Sequence, residues 1–249
     1  MQPIQATTFV VKTFLRPHCL DRLISSIRAN YPDVPILVAD DSPTPVARKD
    51  VQVHALPYDC GLSFGRNYLV DRVQTEYFLL MDDDHVFEDR TRIETLLAPI
   101  ARNRFDLVGA QVVEACGPFA WEGLLELDGT ALTLRKGDNG LVDGVARVDF
   151  CHNFFAARTE MVRKLRWDDT LKLGEHTDFF LRAAGAGLRV GYDATVKVQH
   201  LPEKSGDYAG FRARAKGYRK TMMRKHGLQK ITNELHPVGN VDLSAGGSD

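Results

Sequence analysis

The sequence predicts a single α/β domain built on a mostly parallel sheet with helices on both faces. Short apolar, β-branched runs alternate with amphipathic helical patterns through residues 7–81. Such alternation is typical of a parallel sheet with right-handed crossovers. The chain has 249 residues, of which 44% are hydrophobic, and chains divide into separate cores only above about 250–300 residues. One domain is therefore expected.

The first half of the chain carries the clearest periodic patterns. The runs at residues 7–12 and 35–39 are short and mainly apolar, as expected when a strand is covered on both faces. The first helical segment has apolar side chains at i, i+3, i+4 and i+7, which form one buried stripe. The predicted strands are Thr7–Lys12, Pro35–Ala39, Val51–Leu56 and Tyr77–Met81, and the predicted helices are Arg16–Asn30 and Ser63–Val73.

The second half is less regular. Residues Gly117–Arg147 are glycine-rich and weakly periodic, which predicts short antiparallel strands and loops. Residues 239–249 are glycine, serine and aspartate without periodicity, so we expect a disordered tail there. The other predicted helices are Ile93–Ile100 and Asp178–Ala186, and the other predicted strands are Leu107–Val113, Arg189–Tyr192 and Thr195–Val198.

Composition narrows the classes of function. The formal net charge is −1, so no global field attracts the molecule to nucleic acid or to an anionic bilayer. The four cysteines are scattered without zinc-ligand spacing, which predicts reduced thiols in a cytoplasmic protein. We find no leader pattern and no apolar run near the ~18 residues of a membrane span, so we expect a soluble or at most peripheral protein.

Two predicted strands end directly in aspartates, Asp40-Asp41 and Asp82–Asp84. Ligands of open parallel sheets bind beyond the carboxyl ends of the strands. Three consecutive carboxylates at a buried strand end repel one another unless a cation neutralises them, and Mg²⁺ or Mn²⁺ prefers such oxygen ligands. Because alternate residues of an extended chain point the same way, Asp82 and Asp84 are expected to share one site. The alternative is a solvated turn.

Residues Gly61–Asn67 form a glycine turn followed by a helix start. The helix N-terminus and Arg66 could face an anionic or hydroxyl-rich ligand, although an ordinary helix start would look similar.

The second chemical cluster lies at the start of the predicted helix near residue 178. One acid there is explained by the helix dipole, but Glu175, His176 and Asp178 together are not. A group that deprotonates a hydroxyl must be a carboxylate or a histidine, so each of the three is a candidate base. His200, which follows the last predicted strand, is ambiguous when taken alone.

In this order, the segments resemble the GT-A glycosyltransferases of the family 2 type. Their pattern is strand–Asp-Asp, Gly-x-x-x-x-Arg-Asn, strand–Asp-x-Asp, an acidic helix start and a late histidine. The chain is more closely similar to the β-1,4-N-acetylgalactosaminyltransferases that make ganglioside-type glycans, over about residues 8–200. The segments that carry this second resemblance are Lys12–Arg16, Ser26–Arg28, Tyr31-Pro32, Ala39–Ser42, Gly65–Asn67, Asp82–Asp84, Val86-Phe87, Asp106–Gly109, Asn153–Arg158, His176 and Phe179-Phe180.

The resemblance implies a UDP-sugar donor and a Mn²⁺ or Mg²⁺ ion. It implies a metal set of Asp84, Asp82 and His200. The usual Glu-Asp pair has His176 in place of its aspartate, and we expect Asp178 to be the base, with Glu175 and His176 as alternatives. The implied nucleotide-binding set is Thr13, Arg16, Asp40, Asp41, Arg66, Asn67, Asp82 and Asp83, with Asp40 or Asp41 on the uracil or ribose.

The resemblance also implies the organisation and activity of the domain. A Rossmann-like, nucleotide-sugar-binding half would cover about residues 7–115 and an acceptor half about 116–200. A basic lid or helix would cover about 201–238, completing one GT-A domain over 1–238. The alternative for the basic segment is a helix that lies on the surface or on an anionic lipid leaflet. The implied activity is inverting transfer of a sugar, N-acetylgalactosamine by resemblance, to a hydroxyl of a glycan or glycolipid.

Several alternatives stay open. The donor could be UDP-N-acetylglucosamine or UDP-galactose. A sugar-1-phosphate nucleotidyltransferase would be expected to have a glycine-rich loop after the first strand, where this chain has Thr13–Pro17. A haloacid-dehalogenase-type phosphatase would need its acidic pair after that strand. A non-catalytic carbohydrate-binding protein would lack the base or metal residues.

Overall fold

Strands and helices alternate through the first half of the chain, as predicted. The structure, a computed structural model, describes residues 2–203, 206–236 and 240–244. A short 3-10 helix, Pro3–Ala6, precedes the first strand. The elements that follow are β1 (Thr7–Thr13), α1 (Pro17–Asn30), β2 (Ile36–Asp40), β3 (Gln52–Ala55), α2 (Leu62–Val70) and β4 (Tyr77–Asp82).

The second half adds shorter strands and the remaining helices. The elements are β5 (His85–Val86), α3 (Ile93–Ala101), β6 (Leu107–Glu114), β7 (Gly117–Phe119), β8 (Leu124–Asp128), β9 (Ala131–Arg135), β10 (Leu141–Val142), β11 (Val145–Val148), β12 (Phe155–Arg158), α4 (Thr159–Leu165), α5 (Glu175–Gly185), β13 (Val190–His200), α6 (Gly206–Ala213), α7 (Ala215–Lys225), β14 (Lys230–Asn233) and β15 (Val241–Asp242).

The main sheet is parallel in the first half and mixed in the second. Its strands lie in the order β10-β11-β13-β6-β12-β4-β1-β2-β3, with β5 paired to β13 and β7 to β6. Strands β3, β2, β1 and β4 are parallel. Strand β12 is antiparallel to both of its neighbours, β4 and β6, and therefore joins the two halves. A second, smaller sheet has the order β15-β14-β9-β8.

The register of the parallel strands places the predicted acidic segments at one edge. Thr13 at the end of β1 lies opposite Asp40, and Lys12 lies opposite Asp82. Residues of β1 and β2 are buried along their whole length, because helices cover both faces of the sheet. The apolar runs of the sequence thus fix where the strands end, and the polar residues that follow them meet beyond the same edge.

In the second half of the chain, the structure agrees with one of the sequence predictions and differs from two others. The glycine-rich segment forms the antiparallel strands β7 to β11, as predicted. The two strands expected around residues 189–198 form one strand, β13, whose pairing with β6 shifts between Asp193 and Lys197. The prediction of a disordered tail is wrong at Val241–Asp242, because these residues pair with the open edge of β14. Residues 239 and 245–249 of that tail lie outside the described residues.

The basic C-terminal segment is part of the fold. Helix α7 buries Met222 and Met223 in the core beneath the sheet. Its side chains Lys216 and Arg224 remain exposed. A helix that lay only on the surface would not bury two methionines in the core. Helix α7 is therefore part of the domain. None of the described helices combines the length and apolar composition that crossing a membrane requires.

Candidate active site

A cavity of about 500 Å³ opens beyond the carboxyl ends of β1 and β4. One part of the lining is acidic and comes from the end of β4, the turn after it and the end of β13, and another part comes from the start of α5. Helix α6 contributes a third part. The lining includes Lys12, Arg16, Arg66, Asp82, Asp84, Asn153, Glu175, His176, His200, Tyr208 and Arg212. Most of the site residues named from the sequence therefore meet in one place.

Asp82 ends β4, whereas Asp83 and Asp84 lie in the turn that follows, so the extended geometry assumed from the sequence stops at Asp82. The side chain of Asp82 is 35% exposed to the cavity, whereas Asp83 is fully buried. Asp83 accepts a hydrogen bond from Thr13 Oγ1 (2.6 Å) and is ion-paired with Arg16. Burial and the neighbouring Asp84 raise the pKa of Asp83. The charge of Arg16 and the hydrogen bond from Thr13 lower it and partly offset this increase. Asp83 thus anchors the end of β4 and does not line the cavity.

Asp84 is the acidic residue whose bonding is incomplete. Its Oδ2 accepts a hydrogen bond from Arg16 Nη1 (2.6 Å) and lies 3.4 Å from His200 Nε2. Its Oδ1 is buried without a hydrogen-bond partner among the described residues. Burial raises the pKa of Asp84, but the hydrogen bond with His200 and the charge of Arg16 outweigh it and hold the pKa below its usual range. A buried, ionised oxygen without a partner is costly unless a cation binds it.

His200 is oriented by a residue that the sequence did not reveal. Its Nδ1 donates to Glu114 Oε1 (2.8 Å), at the end of β6. Burial lowers the pKa of His200, but Asp84 and Glu114 outweigh it and raise the pKa. The Nδ1–H group is held by its hydrogen bond to Glu114, so a neutral His200 has its lone pair on Nε2, beside Asp84. Metal-ligating histidines are commonly oriented in this way. No local motif marks Glu114, since only the β6–β13 pairing brings it near.

Arg66 connects two parts of the cavity lining. Its guanidinium is 1% exposed, donates to Asp82 Oδ1 (2.9 Å), and is ion-paired with Glu175. Glu175 itself is 3% exposed. A buried carboxylate paired with a planar guanidinium is held in a fixed orientation. Arg66 therefore positions two acidic groups of the cavity lining, Asp82 and Glu175.

Asp178, the residue preferred from the sequence as the base, does not line this cavity. It is fully buried and faces α7. Its Oδ1 accepts hydrogen bonds from Lys225 Nζ (2.7 Å) and His226 Nε2 (2.8 Å), and its Oδ2 accepts one from Arg182 Nε (2.8 Å). Both oxygens are therefore occupied by basic side chains. The geometry contradicts the preference for Asp178 and leaves Glu175 and His176 as the candidates on the cavity wall.

We expect Asp178→Asn to reduce stability rather than chemistry. Burial raises the pKa of Asp178, but the hydrogen bonds from Lys225, His226 and Arg182 outweigh it and lower the pKa. A lowered pKa in the folded state stabilises the fold above the unfolded-state pKa of about 3.9 and loses that effect as pH falls through the folded pKa. Chemical unfolding should show the variant about 1–2 kcal/mol less stable at pH 7, with the difference shrinking below about pH 4. A pH-independent difference would contradict this account.

His176 lies on the cavity wall in a largely aromatic environment. Its Nδ1 donates to Asn153 Oδ1 (2.7 Å), and its ring lies 5.7 Å from the Trp121 ring and 5.0 Å from the Phe180 ring. Burial and the nearby charge of Arg66 lower the pKa of His176 to about 3. The imidazole is therefore neutral at physiological pH and a weak base.

The aspartates after β2 serve the loop that follows rather than this cavity. The two oxygens of Asp40 accept hydrogen bonds from the backbone N–H groups of Ser42 (2.9 Å) and Val46 (2.8 Å). Asp41 is ion-paired with Lys12. Neither aspartate lines the cavity described above, although Lys12 does. Direct contact of Asp40 or Asp41 with a nucleotide therefore has no support from this geometry.

Gly61, in the turn before α2, and Asn67, within α2, also have structural roles. Gly61 has a φ of +95°, and a Cβ there would lie 2.7 Å from Lys172 Cα, so only glycine fits without strain. Asn67 donates to Trp167 O (2.8 Å) and to Asp169 Oδ1 (2.7 Å). Asn67 thus ties α2 to the loop after α4, and its predicted place beside the nucleotide is not supported.

The fold identifies the structural class to which this chain belongs. A parallel half joined through an antiparallel strand to a second half, with an acidic cluster at the junction, is the GT-A type of α/β fold. The chain belongs to glycosyl transferase family 2, whose family model matches residues 8–166. The predicted GT-A fold and family resemblance are thereby confirmed.

Curated relatives refine the resemblance. The chain is 34% identical over 241 residues to mouse β-1,4 N-acetylgalactosaminyltransferase 2, covering 92% of this chain and 47% of the relative. It is 41% identical over 206 residues to human β-1,4 N-acetylgalactosaminyltransferase 1, covering 78% of this chain and 38% of the relative. The chain thus spans less than half the length of these relatives.

Solved structures share the fold at low sequence identity. S. aureus TarS 1-349 in complex with UDP-GlcNAc superposes with a TM-score of 0.59 at 14% identity, covering 82% of this chain and 60% of that one. GalNAc-T7 with UDP, GalNAc and Mn²⁺ superposes with a TM-score of 0.60 at 14% identity, covering 87% of this chain and 50% of that one.

Proposed function

We propose that this chain carries the catalytic domain of an inverting, metal-dependent glycosyltransferase. It transfers N-acetylgalactosamine from a UDP-sugar to a hydroxyl of a glycan or glycolipid. The observation that carries the proposal is the cavity itself, which is lined by Asp82, Asp84, His200 and Glu175. The names of the curated relatives support the sugar, and the UDP-sugar complexes of proteins with the same fold support the donor class.

Asp84, Asp82 and His200 would hold Mn²⁺ or Mg²⁺. Two carboxylates and an imidazole nitrogen suit such an ion, particularly Mn²⁺, and the unpartnered Asp84 Oδ1 supports a cation at this wall. When bound, the ion would supply positive charge that stabilises the departing diphosphate.

Glu175 is the base in this proposal. It lines the cavity, and Arg66 orients its carboxylate. Glu175 accepts the proton of the acceptor hydroxyl, and the hydroxyl oxygen forms a bond to the anomeric carbon. The bond from that carbon to the diphosphate oxygen breaks on the opposite face, and its electron pair leaves with UDP. One displacement of this kind inverts the anomeric centre.

Helix α6 fits the predicted role of a lid over the donor. Tyr208 and Arg212 of α6 line the cavity. A basic residue above a diphosphate contributes charge, and a helix that covers the donor excludes water, which would otherwise hydrolyse it.

A screen of UDP-sugars tests the proposal. The full chain should transfer or slowly hydrolyse UDP-N-acetylgalactosamine in the presence of Mn²⁺, and turnover should stop on chelation. Faster turnover of UDP-N-acetylglucosamine or UDP-galactose would replace the proposed sugar but keep the reaction. Absence of turnover and of binding for every UDP-sugar would contradict the proposed function.

A cytoplasmic location and peripheral contact with an anionic membrane remain proposals from the sequence. The exposed Lys216 and Arg224 of α7 are the side chains that such a surface would attract. Cosedimentation with vesicles that contain phosphatidylserine, compared with neutral vesicles, tests the contact, and equal partitioning would rule it out.

A further inference from the structure

Arg16 stands inside the acidic wall as a built-in cation. Its Nη1 donates to Asp84 (2.6 Å), and its Nη2 pairs with Asp83. The side chain is 9% exposed and lines the cavity. One guanidinium therefore neutralises part of the cluster that the proposed function assigns to a divalent ion.

The position of Arg16 is built by several independent parts of the fold. Leu15 adopts a φ of +59°, a backbone conformation that costs energy for a leucine. Its N–H donates to Ser42 Oγ (2.8 Å), which holds the turn in place. On the other side, the Tyr208 ring of α6 lies 4.1 Å from the guanidinium carbon, within the range of a cation–π contact.

Two buried polar groups at this point are unsatisfied. Asp84 Oδ1 has no partner among the described residues, and neither has the Arg16 Nε–H group. The first is an acceptor for a cation, and the second is a donor for an anion. A metal ion and a diphosphate oxygen arriving together would satisfy both groups, whereas either one alone would satisfy only one.

Electrostatics makes the two binding events depend on each other. A divalent ion at Asp84 would lie close to the positive charge of Arg16, so the ion alone meets repulsion. A nucleoside diphosphate carries enough negative charge to offset both cations and gives the guanidinium phosphate oxygens to bind. The diphosphate would therefore relieve the repulsion that opposes the metal.

We propose that Arg16 is a positioning residue that makes metal binding at Asp84 conditional on the nucleoside diphosphate. It holds Asp84 when the site has no donor and interacts with the diphosphate when the donor and metal bind. The inference rests on the proposed function. By linkage, the factor by which UDP tightens Mn²⁺ binding equals the factor by which Mn²⁺ tightens UDP binding.

The test is Mn²⁺ binding to the full chain, measured by calorimetry or electron paramagnetic resonance, with and without UDP. Wild type should bind Mn²⁺ weakly alone and at least about tenfold more tightly with UDP. Arg16→Gln should bind Mn²⁺ alone about tenfold more tightly than wild type, because the competing charge is gone. Its UDP affinity should fall, and the linkage factor should shrink. Unchanged or weaker binding of Mn²⁺ alone would overturn the inference.

Three further variants make the outcome specific. Arg16→Lys keeps the charge but replaces the planar fork with one ammonium nitrogen, so it should hold Asp84 less tightly and raise the affinity for Mn²⁺ alone about threefold. If Arg16→Gln does not fold, this variant decides, and an unchanged affinity overturns the inference. Arg212→Gln, a cavity cation from α6, should weaken UDP binding and leave Mn²⁺ alone unaffected. Asp84→Asn should remove the Mn²⁺ site, which shows that the signal arises there.

The two proposals fail in different ways. Wild type that binds no Mn²⁺ even with UDP contradicts the metal-dependent function. Wild type that binds Mn²⁺ and UDP together, while Arg16→Gln leaves the affinity for Mn²⁺ alone unchanged, contradicts the role of Arg16 only.

Discussion

Replacing Glu175 with glutamine should abolish sugar transfer while preserving donor binding. Glutamine keeps the size of the side chain and can still bond to Arg66, but it cannot accept a proton. General-base catalysis contributes about 10²–10⁴-fold, so kcat should fall by about 10³-fold. Transfer assays, with UDP titration on the same preparation, measure the two effects separately.

His176→Gln and Asp178→Asn are the matched comparisons for this prediction. Asp178 has both oxygens bound by α7 and its own helix, so Asp178→Asn should keep most of its turnover once its lower stability is allowed for. His176 is neutral and a weak base, so His176→Gln should lose less kcat than Glu175→Gln. Full turnover in Glu175→Gln, or its loss in Asp178→Asn with the fold intact, would contradict the assignment.

Replacing Asp84 with asparagine should eliminate metal-dependent donor binding and lower kcat/KM by at least about 10²-fold. An amide is a poor ligand for a hard divalent ion, and the charge that balances the ion is lost. Asp82 and His200, the other members of the proposed metal set, are too few to restore the site. UDP titration in Mn²⁺ and in chelator should give the same weak affinity for this variant.

An exposed aspartate provides the control for Asp84→Asn. Asp128, at the end of β8, is exposed and does not line the cavity, so Asp128→Asn should retain the metal dependence of wild type. Melting curves of both variants should resemble that of wild type. If Asp84→Asn lost UDP binding only because it unfolded, the metal assignment would lose its support.

The parts of the fold predicted from the sequence are those encoded by local patterns. The runs that became β1, β2 and β4 are apolar through their centres and buried along almost their whole length, so burial on both faces indicated their type and their approximate limits. The run of three aspartates behind the apolar run of β4 likewise pointed to the edge of the sheet where Asp82 and Asp84 line the cavity. These features need no information about distant residues.

The parts that were missed depend on distant partners. Helix periodicity did not determine whether Glu175 or Asp178 faces the cavity. Asp178 is instead bound by Lys225 of α7, which lies more than thirty residues later in the chain. The same is true of Glu114, which reaches His200 only through the β6–β13 pairing. Asn67 was assigned to a ligand by motif, whereas a loop some one hundred residues away takes its hydrogen bonds.

The most direct test of the central claim is calorimetric titration of UDP into the wild-type chain, in Mn²⁺ and in chelator. The acidic wall formed by Asp82, Asp84 and His200 predicts that Mn²⁺ tightens UDP binding at least about tenfold. Identical UDP affinity in the two conditions would contradict a diphosphate–metal site at this wall.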